Sequence, residues 1–240
     1  MHHILFQPLL ASGALQFAFE RATTEGKITI AALVVLSFFS WTIIVTKSRQ
    51  LFLAVRQTRK FFAAYNAAGG PLALARDGGK FDGVPAFQVY RRAAGEVERM
   101  LKTAPSATNP GRMGAPAFEV VRAALEESSG AESVSLERGM IVLSTAVAGG
   151  PFLGLLGTVW GVMETFSGIA HANAATLTAM APGVAGALIA TVVGLLVAIP
   201  AMFAYNFMVT AIRNLTQELD AFAARYAAEA SLLYVERAVA

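Results

Sequence analysis

Between Arg138 and Arg213 the chain carries a single formally charged side chain, Glu164. A stretch this long and this poor in charge cannot form the outside of a soluble domain, so it needs lipid around it. It is also far too long for one crossing of a ~30 Å hydrocarbon layer at about 1.5 Å of rise per residue. The polar piece SGIAHANAATLT divides it into a hairpin of two spans. A separate uncharged run, ITIAALVVLSFFSWTIIVT at 28–46, is long enough for a third. A mean hydropathy of +0.55 agrees with this. The expected fold is an all-α integral membrane protein with transmembrane helices over 28–46, 140–168 and 177–209 and long cytoplasmic helical extensions.

Basic residues set the expected orientation. Lys47, Arg49, Arg56, Arg59 and Lys60 follow the first span and Arg138 precedes the second, whereas the 169–176 hairpin has neither Lys nor Arg. By the positive-inside rule, 47–139 and the 210–240 tail are cytoplasmic, and the 1–27 segment and the hairpin face outward. This describes a multi-pass membrane protein. The first residues lack the basic n-region of a cleavable signal peptide. Ile4, Leu5, Phe6, Leu9, Leu10, Leu15, Phe17 and Phe19 instead predict a short amphipathic helix at the outer interface.

The cytoplasmic part reads as helices separated by breakers. Leu51, Val55 and Phe62 mark one face of 47–68, and GGPLALARDGGKFDGVP at 69–85 reads as a loop. A helix over 86–102 precedes the linker TAPSATNPGRMGAP. From Ala117, with Phe118, Val121 and Leu125 on one face, the pattern predicts a helix running almost unbroken into the second span. Ile212, Leu215, Leu219, Phe222, Tyr226 and Leu233 continue the third span as an amphipathic tail helix.

Small residues stripe both spans of the hairpin. Gly150, Gly154, Gly157 and Gly161 fall within roughly 60° of arc, and Gly183, Ala187, Ala190 and Gly194 repeat the spacing, continued by Ala198 and Ala201. Such faces let helix backbones approach closely in lipid, where hydrophobicity gives little drive for association. Thr158 and Thr191 each stand eight residues after the start of their stripe. A threonine in a membrane helix can satisfy itself on the carbonyl one turn earlier. With the hairpin centred near Ala175, however, Thr158 lies 17 residues before it and Thr191 16 after, which puts both hydroxyls at one level. They can coordinate water or hydrogen-bond a carboxylate but carry no proton near neutrality. Glu164 has two readings: an interfacial residue near the hairpin, or an acid at ion entry or a partner contact.

Enzyme and cofactor signatures are missing. DGGKFDG lacks the spacing and hydroxyl of a phosphate-binding loop, and GLLGTVWG lies in a membrane helix rather than a strand-turn-helix. Without cysteine there is no disulfide or thiolate site, and neither HExxH nor GxSxG occurs. His2, His3 and His171 read as solvated, and no metal or cofactor is expected. The pI near 9.4 reflects topology-setting residues that touch anionic lipid rather than nucleic-acid binding.

PFLGLLGTVWGVMETF, APGVAGALIATVVGLLVAIPAMFAYN and SWTIIVTKSRQL together resemble the ExbB/TolQ branch of the ExbB/TolQ/MotA family of ion-driven stator proteins. The resemblance implies a homopentamer around the single membrane helices of two ExbD/TolR-type partners. Each partner helix brings an aspartate that exchanges protons facing Thr158 and Thr191. Proton flow would turn the partner dimer relative to the pentamer and power a TonB-like or Tol/Pal system. One position departs from the pattern: ExbB and TolQ usually have glutamate in the APGIAEAL segment, and this chain has Gly186 there. Glu164 lies on the preceding span and is not an obvious replacement. Two alternatives stand beside the motor, a membrane scaffold that conducts no ions and a motor for gliding-type motility.

Overall fold

The computed structural model describes residues 24–75, 80–107, 109–172 and 177–236, without the side chains of 171, 172, 177–179 and 182. Five helices account for most of these residues: α1 (Thr24–Ala67), α2 (Pro85–Thr103), α3 (Ala115–Glu137), α4 (Met140–Ala172) and α5 (Leu177–Tyr234). Among the described residues there is no strand, only isolated bridges at Met113. Three helices are long and apolar enough to cross a membrane: Thr24–Ala67, Met140–Ala170 within α4, and Gly183–Tyr234 within α5. The amphipathic helix expected over 4–19 lies outside the described residues.

The chain divides into two compact units, one formed by the residues up to Thr46 with Gly139–Asn206, the other by Lys47–Arg138 with the residues from Phe207 onward. In the first unit the small-residue face is buried (Ala187, Ala190, Ala198, Ala201), together with Leu33, Leu143 and Ala146. Its large apolar side chains point the other way: Phe38, Phe152 and Phe203 are each about 70% exposed (71%, 72% and 67%). This inversion of the soluble pattern suits a helix bundle whose outer surface meets lipid or another subunit.

The second unit has a conventional core. Phe61 is fully buried and makes T-shaped contacts with Phe81, Phe87 and Phe222, at centroid distances of 5.6, 5.8 and 5.6 Å. Tyr65, Tyr90 and Tyr226 surround it. Tyr65 donates a hydrogen bond to Glu229 Oε2 at 2.7 Å, and the Arg225 guanidinium lies 5.7 Å over the Tyr65 ring. Leu51 is buried as its periodicity implies, but the centre of this face is Phe61, with Phe62 only half-buried. Lys47, itself buried, donates from Nζ to Leu136 O at 3.1 Å, placing a cation on the carbonyl end of α3.

Two breakers act differently from the expectation. The helix from Ala117 reaches the second span with a two-residue interruption: α3 stops at Glu137, Arg138 is extended (ψ 130°), and Gly139 takes φ +86° before α4 begins. That backbone suits glycine and costs other residues about 1–2 kcal/mol, which is how one glycine ends the helix. The second linker is not a free connection either. Met113 is fully buried, donates from its N–H to Tyr234 O at 2.8 Å and accepts from Glu236 N at 3.0 Å. Ser106 Oγ also donates to Glu236 Oε2.

Candidate functional site

The site lies in the first unit, where α4 and α5 meet along their small residues. A β-carbon added at Gly150 would stand 3.0 Å from Gly194 O, and one at Gly154 would stand 2.9 Å from Ala190 O and 3.0 Å from Thr191 Cα. At Gly194 it would stand 2.6 Å from Gly150 O. Gly157 and Gly161 face the methyl groups of Ala190 and Ala187 at 2.6 and 2.7 Å by the same measure. Real carbon contacts sit at about 3.5–4.0 Å, so the two backbones touch where only glycine fits. All eight stripe residues named from the sequence lie on the α4–α5 seam, with Gly183 packed against Thr165 of α4.

This closeness brings the two threonines together. Thr158 Oγ1 and Thr191 Oγ1 are hydrogen-bonded to each other across the seam. Gly154 O at 3.1 Å and Ala187 O on the facing helix at 3.3 Å are alternative acceptors for the Thr158 hydroxyl proton. Thr191 Oγ1 donates to Gly154 O at 3.2 Å. Gly154 therefore has two roles: its missing side chain admits α5, and its carbonyl is an acceptor within reach of both hydroxyls. Each hydroxyl has one proton to donate and lone pairs that accept. One proton makes the bond between the two hydroxyls and the other has a carbonyl at hand, so the half-buried pair keeps lone pairs that can accept from a group outside the seam.

The other two residues singled out from the sequence are not part of this pair. Glu164 follows Thr158 by six positions on α4, about 9 Å along and 120° around the helix, and its side chain is exposed. Gly186 is buried on α5, about 140° of arc from Thr191. The structure does add two threonines that sequence reading passes over. Thr29 of α1 is buried, bonds Glu25 O at 2.9 Å and lays its methyl group against Gly157. Thr165 bonds Gly161 O at 2.7 Å and occupies the space left at Gly183. Their only sequence signal was a hydroxyl in an otherwise apolar helix; which glycine each faces is a tertiary fact.

Residues 92–221, more than half of the chain and the whole of this seam, match the MotA/TolQ/ExbB proton channel family. The chain belongs to that family. Among its relatives, the Tol-Pal system protein TolQ of Haemophilus influenzae is 33% identical over 210 residues, covering 85% of this chain and 88% of TolQ. The biopolymer transport protein ExbB of Pseudomonas putida is 34% identical over 188 residues, covering 78% of this chain and 54% of ExbB. A second TolQ, from Pseudomonas aeruginosa, is 40% identical over 119 residues, covering 50% and 49%. The matched region thus spans most of the first relative and about half of the other two. Membership and three apolar helices together make this a multi-pass inner-membrane protein of the MotA/TolQ/ExbB family.

Proposed function

We propose that this chain is the membrane-embedded stator subunit of a proton-motive-force-driven motor of the ExbB/TolQ type. Five copies surround the membrane helices of two ExbD/TolR-type partners, and the Thr158–Thr191 pair faces the partner's intramembrane aspartate. The observation that carries this reading is the hydrogen-bonded threonine pair itself, held by glycines at a fixed depth in a chain of a proton channel family. In it the first span is 28–46, the N-terminus is periplasmic, and the helical regions 47–139 and 210–240 are cytoplasmic. The output is work across the envelope through a TonB-like or Tol/Pal system.

The chemistry follows from which group holds the proton. Threonine does not titrate in the working range, so the partner carboxyl is the carrier. With one hydroxyl proton in the bond between the threonines and the other on a backbone carbonyl, the pair offers its remaining lone pairs to a protonated carboxyl. Desolvation in the ring raises the aspartate pKa in the same direction. The aspartate thus enters the threonine level protonated and loses its proton on leaving it, and the proton-motive force sets the direction by loading it from one side and unloading it to the other. Glu164, exposed on α4, fits a place at the mouth of the path rather than at the pair.

The test is proton flux into vesicles holding the chain with its single-span partner. Thr158→Val with Thr191→Val keeps the assembly and abolishes flux. A second reading, a scaffold that conducts no ions, is favoured by Gly186 in place of the family acid. Partner-dependent flux that is lost with the partner aspartate excludes it.

A further inference from the structure

Around the bundle of the second unit, surface grooves run between α1 and α5, between α3 and α5, and between α2 and α3. The helices therefore follow one another in the order α1, α5, α3, α2, and the α1/α5 side lies across the bundle from the α2/α3 side. The two sides differ in charge. Along the first groove Arg56, Arg59 and Lys60 stand with one carboxylate, that of Glu218. Along the second, Glu96, Glu127 and Glu132 stand with two guanidiniums, those of Arg91 and Arg92. Each side also bears an apolar group that the bundle leaves open: Phe52 on α1, 67% exposed, and Val134 on α3, 62% exposed. Phe52 precedes Arg59 by seven residues, and Val134 follows Glu127 by seven. Each pair is thus separated by about 20° of arc and about 10 Å of helix.

The heights of these residues along the bundle also agree. Phe61 meets Phe222 and Tyr65 meets Tyr226, so α1 and α5 run parallel. Ser129 bonds Asp220 and Met113 bonds Tyr234, so α3 runs antiparallel to both. Phe222, two residues beyond Asp220, is then level with Glu127 of α3 as well as with Phe61 of α1. That puts Glu127 within about 3 Å of the height of Arg59, and Val134 within about 3 Å of the height of Phe52. Rotation about a ring axis along the helices leaves every height unchanged, so groups level within one copy are level between copies. We infer that the α1/α5 side of one copy packs against the α2/α3 side of the next, with Phe52 on Val134 and Arg59 on Glu127. The apolar pair supplies attraction, and the opposite charges select unlike sides and fix their register. A contact between two different sides is the kind that closes a ring. It rests on the reading of the chain as a ring of copies and names the sides that form it.

The chain has no cysteine, so introduced thiols are its only ones. Arg56 and Ala131 lie between the two contact pairs on their helices and serve as thiol positions that leave both pairs intact. Full-length R56C/A131C, purified with a cysteine-free single-span partner, is treated with a bismaleimide spanning about two helical turns. A ladder of cross-linked species up to the size of the ring is expected on a denaturing gel, and neither R56C nor A131C alone forms it. In that background R59E slows cross-linking about fivefold, E127R does the same, and the two together restore it. A product that stays at monomer mass puts both thiols within one copy, and a dimer from R56C alone brings like sides together; either overturns the inference. So does a ring seen by native mass spectrometry that gives no ladder, which leaves the assembly standing and moves the contact elsewhere. A chain that is monomeric by native mass spectrometry removes the ring reading and this contact together.

Discussion

Gly154→Ala puts one methyl group where the structure leaves no room for it. The new carbon would stand 2.9 Å from Ala190 O and 3.0 Å from Thr191 Cα, so α4 and α5 must part by about 0.5–1 Å to restore normal contact. A gap of that size already forfeits about a quarter to a half of the attraction of each contact along the seam. Overpacking of this kind costs about 1–3 kcal/mol, and a weakened interhelical hydrogen bond from Thr191 to Gly154 O adds about 0.6 kcal/mol. Alanine's better helix propensity returns up to about 1 kcal/mol, leaving a net loss of about 1–3 kcal/mol. Gly168→Ala is the control: it lies on the same helix with nothing within 4 Å of its added carbon, and it stabilises by up to about 1 kcal/mol. Unfolding in mixed micelles with increasing SDS, followed by circular dichroism, measures both. Changes of the same sign at the two glycines would refute the claim that backbone contact, rather than helix propensity, governs this stripe.

Gly139→Ala forces a β-carbon into φ +86° and costs about 1–2 kcal/mol in the same assay. Phe61→Ala empties the centre of the aromatic core and costs about 3–5 kcal/mol, read as a lowered unfolding temperature with α-helix content retained at 20 °C. Alkali acts on the same core. Burial pushes the Tyr90 phenol up to about 12, and burial first, then Glu229, raises that of Tyr65. The folded state therefore holds protons that the unfolded chain releases near pH 10, and stability falls as pH rises from about 10 through about 12. Ionisation of Tyr65 and Tyr90 together with loss of helical signal is the expected result; ionisation of either near pH 10 in the folded protein would contradict it.

Much of this was legible in the sequence, for identifiable reasons. A span with one charge between Arg138 and Arg213 has few solutions other than a membrane hairpin, and glycines at helical spacing have few uses there other than close packing. The threonine register followed from counting residues about the hairpin. What was hidden depends on contacts distant in sequence. Periodicity alone carried the helix from Ala117 through Gly139, because φ is not visible in an apolar pattern. Phe61 and Phe62 are adjacent aromatics, and only the packed rings Phe87 and Phe222 decide which one is central. The 104–114 segment looked like a linker from its prolines and glycines, yet Met113 is held in place by Tyr234 and Glu236 far along the chain. Thr29 and Thr165 likewise gain meaning only from Gly157 and Gly183 opposite them.

The central claim is that the Thr158–Thr191 pair is the proton-path element of this chain, and proton flux tests it most directly. Vesicles containing the chain and its ExbD/TolR-type partner are given a pH gradient, and internal pH is followed with an entrapped dye. Thr→Val at both positions keeps the shape of the pair and removes its hydroxyls. The account expects flux to fall to the level of a partner lacking its membrane aspartate, with Thr158→Ser and Thr191→Ser retaining it. Full flux through an assembled Thr158→Val, Thr191→Val complex would contradict the account.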